Sequence, residues 1–163
     1  RINPLPGHVA LAFVPDVAQS TEASRATLPG ALEREAVVDQ VARAGHVLVG
    51  LTGAWSIDPT LVGDRLHEPV RTPGLPDGGA LLDSLRADGF TAWLSGSGPV
   101  VLALARDGDD AAMAAARVRA AAAGSELLVL ALDRLGALAC PDDGCAISGV
   151  GGCAQCPRER LHW

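Results

Sequence analysis

The chain has 163 residues, 48% of them hydrophobic, and a formal charge of −6 at pH 7. That length suits one domain with a real core, and that apolar content excludes a disordered tail as the main body of the chain. The 13 cationic residues are all arginines and are outnumbered by 19 acids, so a nucleic-acid-binding protein is not expected. No apolar run reaches the roughly 18 residues that span a bilayer. Neither a membrane partner nor a signal peptide is expected, and the chain reads as cytoplasmic. It opens on Arg1-Ile2-Asn3-Pro4 without a methionine, as a portion of a longer protein would.

Val9 to Val14 is a short apolar run closed by Pro15 and is expected to be a buried strand. Ser20 caps a helix that ends before Pro29-Gly30. Glu33 to Thr52 reads as a long amphipathic helix with Val37, Val38, Val41, Leu48 and Leu51 on one stripe. A shorter helix is expected over Pro59 to His67, followed by a loop punctuated by Pro69, Pro73, Gly74 and Pro76. Pro76 opens the next helix, which carries Leu81, Leu82 and Leu85 and stops at Gly89. Thr91 to Leu94 and Val100 to Ala105 are strands joined by Ser95-Gly96-Ser97-Gly98-Pro99. Asp107 to Ala123 is an alanine-rich helix with acids at its positive end. Ser125 to Leu132 reads as a buried strand. The β-α-β-β-α-β order points to an α+β, ferredoxin-like domain with extra helices inserted after the first helix.

Three segments carry chemistry. Thr21 and Arg25 lie four apart on one helix face and suit a small anionic ligand, although a solvated face has the same pattern. Arg71 sits in a proline-framed stretch. Its guanidinium can grip a carboxylate through two parallel hydrogen bonds, or simply face solvent. His67 is either a ligand contact or a helix-end residue. The glycines of Ser95–Pro99 let backbone N–H groups approach an anion, or serve an ordinary tight connection. The turn is not a Walker loop, because the chain has no lysine, and it lacks the third glycine of a dinucleotide fingerprint.

Taken together and in this order, the segments resemble the carboxy-terminal half of the homoserine kinase family within the GHMP kinases. Val14-Pro15-Asp16 and Ser20-Thr21-Glu22-Ala23-Ser24-Arg25 look like that family's first block, with Ser24 where alanine is usual. Asp64 to Arg71 is similar to its Asp-Arg-Leu-His-Gln-Pro-Tyr-Arg segment, with Glu68 and Val70 as departures. Ser95 to Pro99 matches its glycine motif, with Val100 replacing a hydroxyl residue. The resemblance covers about residues 5 to 135. It implies a GHMP kinase C-terminal domain over 1–138, with Thr21, Arg25 and Arg71 holding homoserine and Gly96, Ser97 and Gly98 lining the site. It also implies phosphorylation of the homoserine hydroxyl by ATP with Mg, in threonine biosynthesis.

The family's Pro-x-x-x-Gly-Leu-Gly-Ser-Ser-Ala loop, which cradles ATP at a helix start, has no counterpart here. The isolated chain is therefore expected to be inactive, its partner being an amino-terminal kinase half. The alternative is a non-catalytic amino-acid-binding or interaction module. A homodimer is a further expected assembly. Residues 139–163 form a Cys/Gly-rich tail expected to be poorly ordered. Its Cys140, Cys145, Cys153 and Cys156 are open to three readings: structural zinc, a redox pair, or incidental thiols.

Overall fold

The computed structural model describes residues 5–132. The cysteine tail lies outside the described residues. The sheet is built from β1 (His8–Pro15), β2 (Thr91–Leu94), β3 (Val101–Arg106) and β4 (Ser125–Ala131). Its spatial order is β2-β3-β1-β4 and every pairing is antiparallel. The first strand thus ends up inside, and the second and fourth strands form the two edges. This is the arrangement that the β-α-β-β-α-β reading requires.

Alternation decides which face is covered. Leu11 and Phe13 of β1, Ala92 and Leu94 of β2, and Val101 and Ala103 of β3 point to one side and are buried. Two helices cover that side. The first is α4 (Pro76–Ala87), opened by its proline and ended beside Gly89 at φ +85°. It contributes Leu81, Leu82 and Leu85 to the core. The second, α5 (Asp110–Ala122), is capped by the Asp109 carboxylate, which accepts the Ala112 N–H. Its Ala116 and Ala120 are buried, so alanine lets this helix lie close to the sheet. Arg119 of α5 donates Nε and Nη2 to the two Asp88 oxygens at the end of α4, at 2.7 and 2.8 Å.

Three more helices lie between β1 and α4. They are α1 (Thr21–Ala26), α2 (Arg34–Leu51) and the single-turn α3 (Glu68–Arg71), with 3₁₀ turns at Pro59–Leu61 and Thr72–Gly74. Ser20 caps α1 as its sequence suggests, accepting the Ala23 N–H. The packing helix of the crossover is the last one, α4, so the additional helices precede it.

Three expectations need correction. The apolar stripe of α2 does not face the core: Val37, Val38, Val41 and Leu48 are exposed. The opposite, polar side makes the contacts. Gln40 accepts the Arg65 N–H, Arg43 donates to the Thr60 carbonyl, and His46 accepts the Asp58 N–H. A helical period fixes which residues share a face, but not which face is turned inward. Secondly, Pro59 to His67 is not one helix. The Asp58 and Asp64 carboxylates each close a local turn, on Thr60 and on Leu66 and His67, and these turns compete with a continuous helix. Thirdly, β4 is an edge strand whose Leu128, Val129 and Leu130 are exposed. An apolar run without alternation does not distinguish a strand covered on both faces from one at an edge.

Candidate active site at the glycine turn

The turn between β2 and β3 is a tight loop. The Ser95 N–H donates to the Val100 carbonyl at 2.9 Å, and the Gly98 N–H donates to the Ser95 carbonyl at 3.0 Å. Gly96 has φ +58° and Gly98 has φ +81°, a region that side chains resist. The two glycines differ in their surroundings. A Cβ on Gly98 would meet Leu75 Cδ1 at 2.6 Å, whereas a Cβ on Gly96 would meet nothing within 4 Å. Gly98 is therefore demanded by packing, while Gly96 leaves open space above the turn. The backbone N–H groups of Gly96 and Ser97 have no backbone acceptor among the described residues. They are the donors this loop has to offer an anion. Ser97 Oγ reaches only its neighbour, the Gly98 carbonyl, at 3.5 Å.

Arg71 comes to this turn from α3. Its Nη1 donates to the Gly96 carbonyl at 2.8 Å. Its Nε is buried and has no hydrogen-bond partner among the described residues, which is costly for a cationic donor. The start of α3 is fixed by short-range bonds. Asp64 accepts the Leu66 and His67 N–H groups, each at 2.9 Å, and its second oxygen pairs with His67 Nδ1 at 2.6 Å. His67 is thus held at the start of α3 by Asp64.

Thr21 and Arg25 sit on exposed positions of α1. Among the described residues, no hydrogen bond or ion pair joins either of them to Arg71 or to the turn. The structure therefore joins Arg71 to Gly96 directly, and joins neither residue of the α1 pair to them by a hydrogen bond or ion pair. Ser24, between Thr21 and Arg25, is buried, and its hydroxyl and the buried Gln19 side-chain oxygen have no hydrogen-bond partner among the described residues. Sequence reasoning passed over both. A small polar residue at a position where alanine is usual was the available signal for Ser24.

Glu68 was also missed as a participant. It is 8% exposed and makes two contacts with Arg86 Nη2, at 2.9 and 3.1 Å. Its Oε1 additionally accepts the Leu94 N–H at 3.2 Å. No group of three or more His, Cys, Asp or Glu side chains suited to a metal ion occurs among the described residues. No helix among them is long and apolar enough to cross a membrane.

Residues 58–124 match the family model described as GHMP kinases C terminal. The fold agrees: a homoserine kinase structure from Cytophaga hutchinsonii superposes with a TM-score of 0.71 at 23% identity, over 82% of this chain and 44% of that one. Sheet order, covering helices and family match together make the described domain a GHMP kinase C-terminal domain. The particular relatives are homoserine kinases. The one from Streptomyces avermitilis is 37% identical over 141 residues, covering 86% of this chain and 45% of the relative. The one from Streptomyces coelicolor is 35% identical over 111 residues, covering 68% and 36%. The chain thus spans less than half the length of these relatives.

Proposed function

We propose that this domain is the substrate-binding part of a kinase that phosphorylates the homoserine hydroxyl. The observation that carries the reading is Arg71, whose guanidinium is brought to the glycine turn by the bond from Nη1 to the Gly96 carbonyl. An α-amino acid brings the carboxylate such a guanidinium accepts. With the carboxylate on Arg71, the Gly96 and Ser97 N–H groups and the open space over Gly96 suit the polar end of the same small molecule. Thr21 and Arg25 contribute to the same substrate in this reading, and Gly98 shapes the floor.

ATP with Mg would supply the γ-phosphoryl group. The sequence has no match to the Pro-x-x-x-Gly-Leu-Gly-Ser-Ser-Ala loop for its triphosphate, so we assign ATP binding to an amino-terminal half of a longer kinase. The work left to these residues is to grip the substrate and hold its hydroxyl still, and positioning of this kind supplies much of the rate in phosphoryl transfer. A place in threonine biosynthesis, in the cytoplasm, belongs to the same reading.

Titration calorimetry with homoserine and with mevalonate tests it. Homoserine binding that is lost in Arg71→Ala is the expected result. A preference for mevalonate would remove the reading. ATP turnover by the 163-residue chain alone would remove its division of labour.

A further inference from the structure

We propose that Glu68 and Arg86 are positioning residues that set the glycine turn by sealing the free edge of β2. This rests on the turn being the binding site proposed above. β2 is a terminal strand, so one row of its backbone groups has no neighbouring strand. In an extended chain alternate residues point to the same side. The outward residues of β2 are 92 and 94, Gly96 lies just beyond them in the turn, and one backbone group of each is taken by a side chain. Arg86 Nε donates to the Ala92 carbonyl at 3.0 Å, the Leu94 N–H donates to Glu68 Oε1 at 3.2 Å, and Arg71 Nη1 donates to the Gly96 carbonyl at 2.8 Å.

The three side chains behave as one unit. Glu68 and Arg71 lie three apart on α3, so a shift of Glu68 carries Arg71 with it. Arg86 comes from α4 and is joined to Glu68 through both carboxylate oxygens. The surroundings are shaped for the pair. Gly63, at φ +136°, lies so close that a Cβ there would stand 2.9 Å from Arg86 Nη2 and 3.3 Å from Glu68 Oε2. The Glu68 carbonyl further accepts the Thr72 hydroxyl at 2.9 Å. The ligand-facing arginine and the turn it touches are therefore registered to each other through a partly buried ion pair outside the proposed ligand contacts.

Amide hydrogen exchange followed by NMR on the full chain tests this directly. Leu94, whose N–H is held by Glu68, reports the edge; Leu11, on the central strand, reports global opening. In Glu68→Ala and Arg86→Ala we expect Leu94 to exchange about tenfold faster relative to Leu11. Glu68→Gln, which keeps an acceptor oxygen but loses the charge, is expected to lie between wild type and Glu68→Ala. Equal acceleration at Leu94 and Leu11 would show that the pair only stabilises the fold, and would overturn the proposal. Should Glu68→Ala fail to fold, the same comparison in Glu68→Gln decides.

A second arm measures homoserine affinity in Glu68→Gln against Leu11→Val, a core variant on the central strand. An affinity loss of about tenfold in Glu68→Gln, beyond that in Leu11→Val, is expected from a displaced binding group. Equal losses would overturn positioning. If the wild-type chain binds no homoserine, the functional reading fails, and the exchange arm still decides whether the pair sets the turn.

Discussion

Two parts of this domain hold themselves together by different means. The sheet with α4 and α5 is an apolar layer: Leu11, Phe13, Leu82, Leu85, Val101 and Ala116 are shut away from water between strands and helices. The stretch from α1 to α3 is a polar lacework. Asp39 pairs with Arg43 and lies near Arg65, Gln40 and His46 hold the backbone of the following loop, and Asp64 closes the turn into α3. Val37, Val38, Val41 and Leu48 of α2 point outward. Burial is tolerant of direction but demands volume, whereas hydrogen bonds demand direction and little volume. The glycine turn lies where the two meet, floored by Leu75 and Leu94 and held from above by α3.

The contrast can be broken by substitution. Leu85→Ala removes a fully buried side chain and is expected to cost about 2–5 kcal/mol in urea unfolding. Gly98→Ala adds a methyl group where Leu75 stands and φ is +81°. It should cost about 1–3 kcal/mol and distort the turn, which NMR shifts of Gly96 and Ser97 would report. Arg71→Ala should leave stability nearly unchanged while weakening homoserine binding at least about tenfold, by loss of a charged hydrogen-bond donor. Val41→Gln on α2 should change stability by no more than about 0.5 kcal/mol. A loss as large as that of Leu85→Ala would mean that the outward stripe is covered in solution.

The smallest effect concerns pH. The fork donated by Arg119 holds the Asp88 carboxyl below its ordinary value of 3.8. A depressed carboxyl contributes stability that is fully present above that ordinary value and fades as pH falls through the lower folded one. Asp88→Asn should therefore lower stability slightly at neutral pH and leave it unchanged below the folded value, which flattens the acid limb of a stability–pH curve. The pair is exposed, so a sizeable effect at neutral pH would contradict this account.

Much of the apolar layer was legible in the sequence. Pro76, Gly89 and the spacing of Leu81, Leu82 and Leu85 fix α4, and two short strands around Ser95–Pro99 fix the β2–β3 pair. These signals are local, and each names its own partner. The lacework was not legible, because Gln40 meeting Arg65, or Glu68 meeting Arg86 and Leu94, depends on contacts 18 to 26 residues apart. The same holds for the site. Arg71 and the turn were visible as motifs, but nothing in their spacing says that Gly96 would take the arginine's hydrogen bond. Thr21 and Arg25 were singled out by their four-residue interval, which defines a shared face without saying what that face meets.

The central place of β1 has a consequence for how the chain is made. His8 pairs with Arg106, and Val9 pairs with both Ala105 and Ala131, so the first of these four strands to be synthesised is the last to be paired on both sides. During translation it must wait about a hundred residues for one neighbour and longer for the other. Such remote pairing slows folding, because the intervening chain must be closed into a loop before any contact rewards it. A nascent chain stopped short of β4 would present β1 with one side unpaired. The ribosome must therefore finish nearly the whole domain before its central strand is satisfied on both sides.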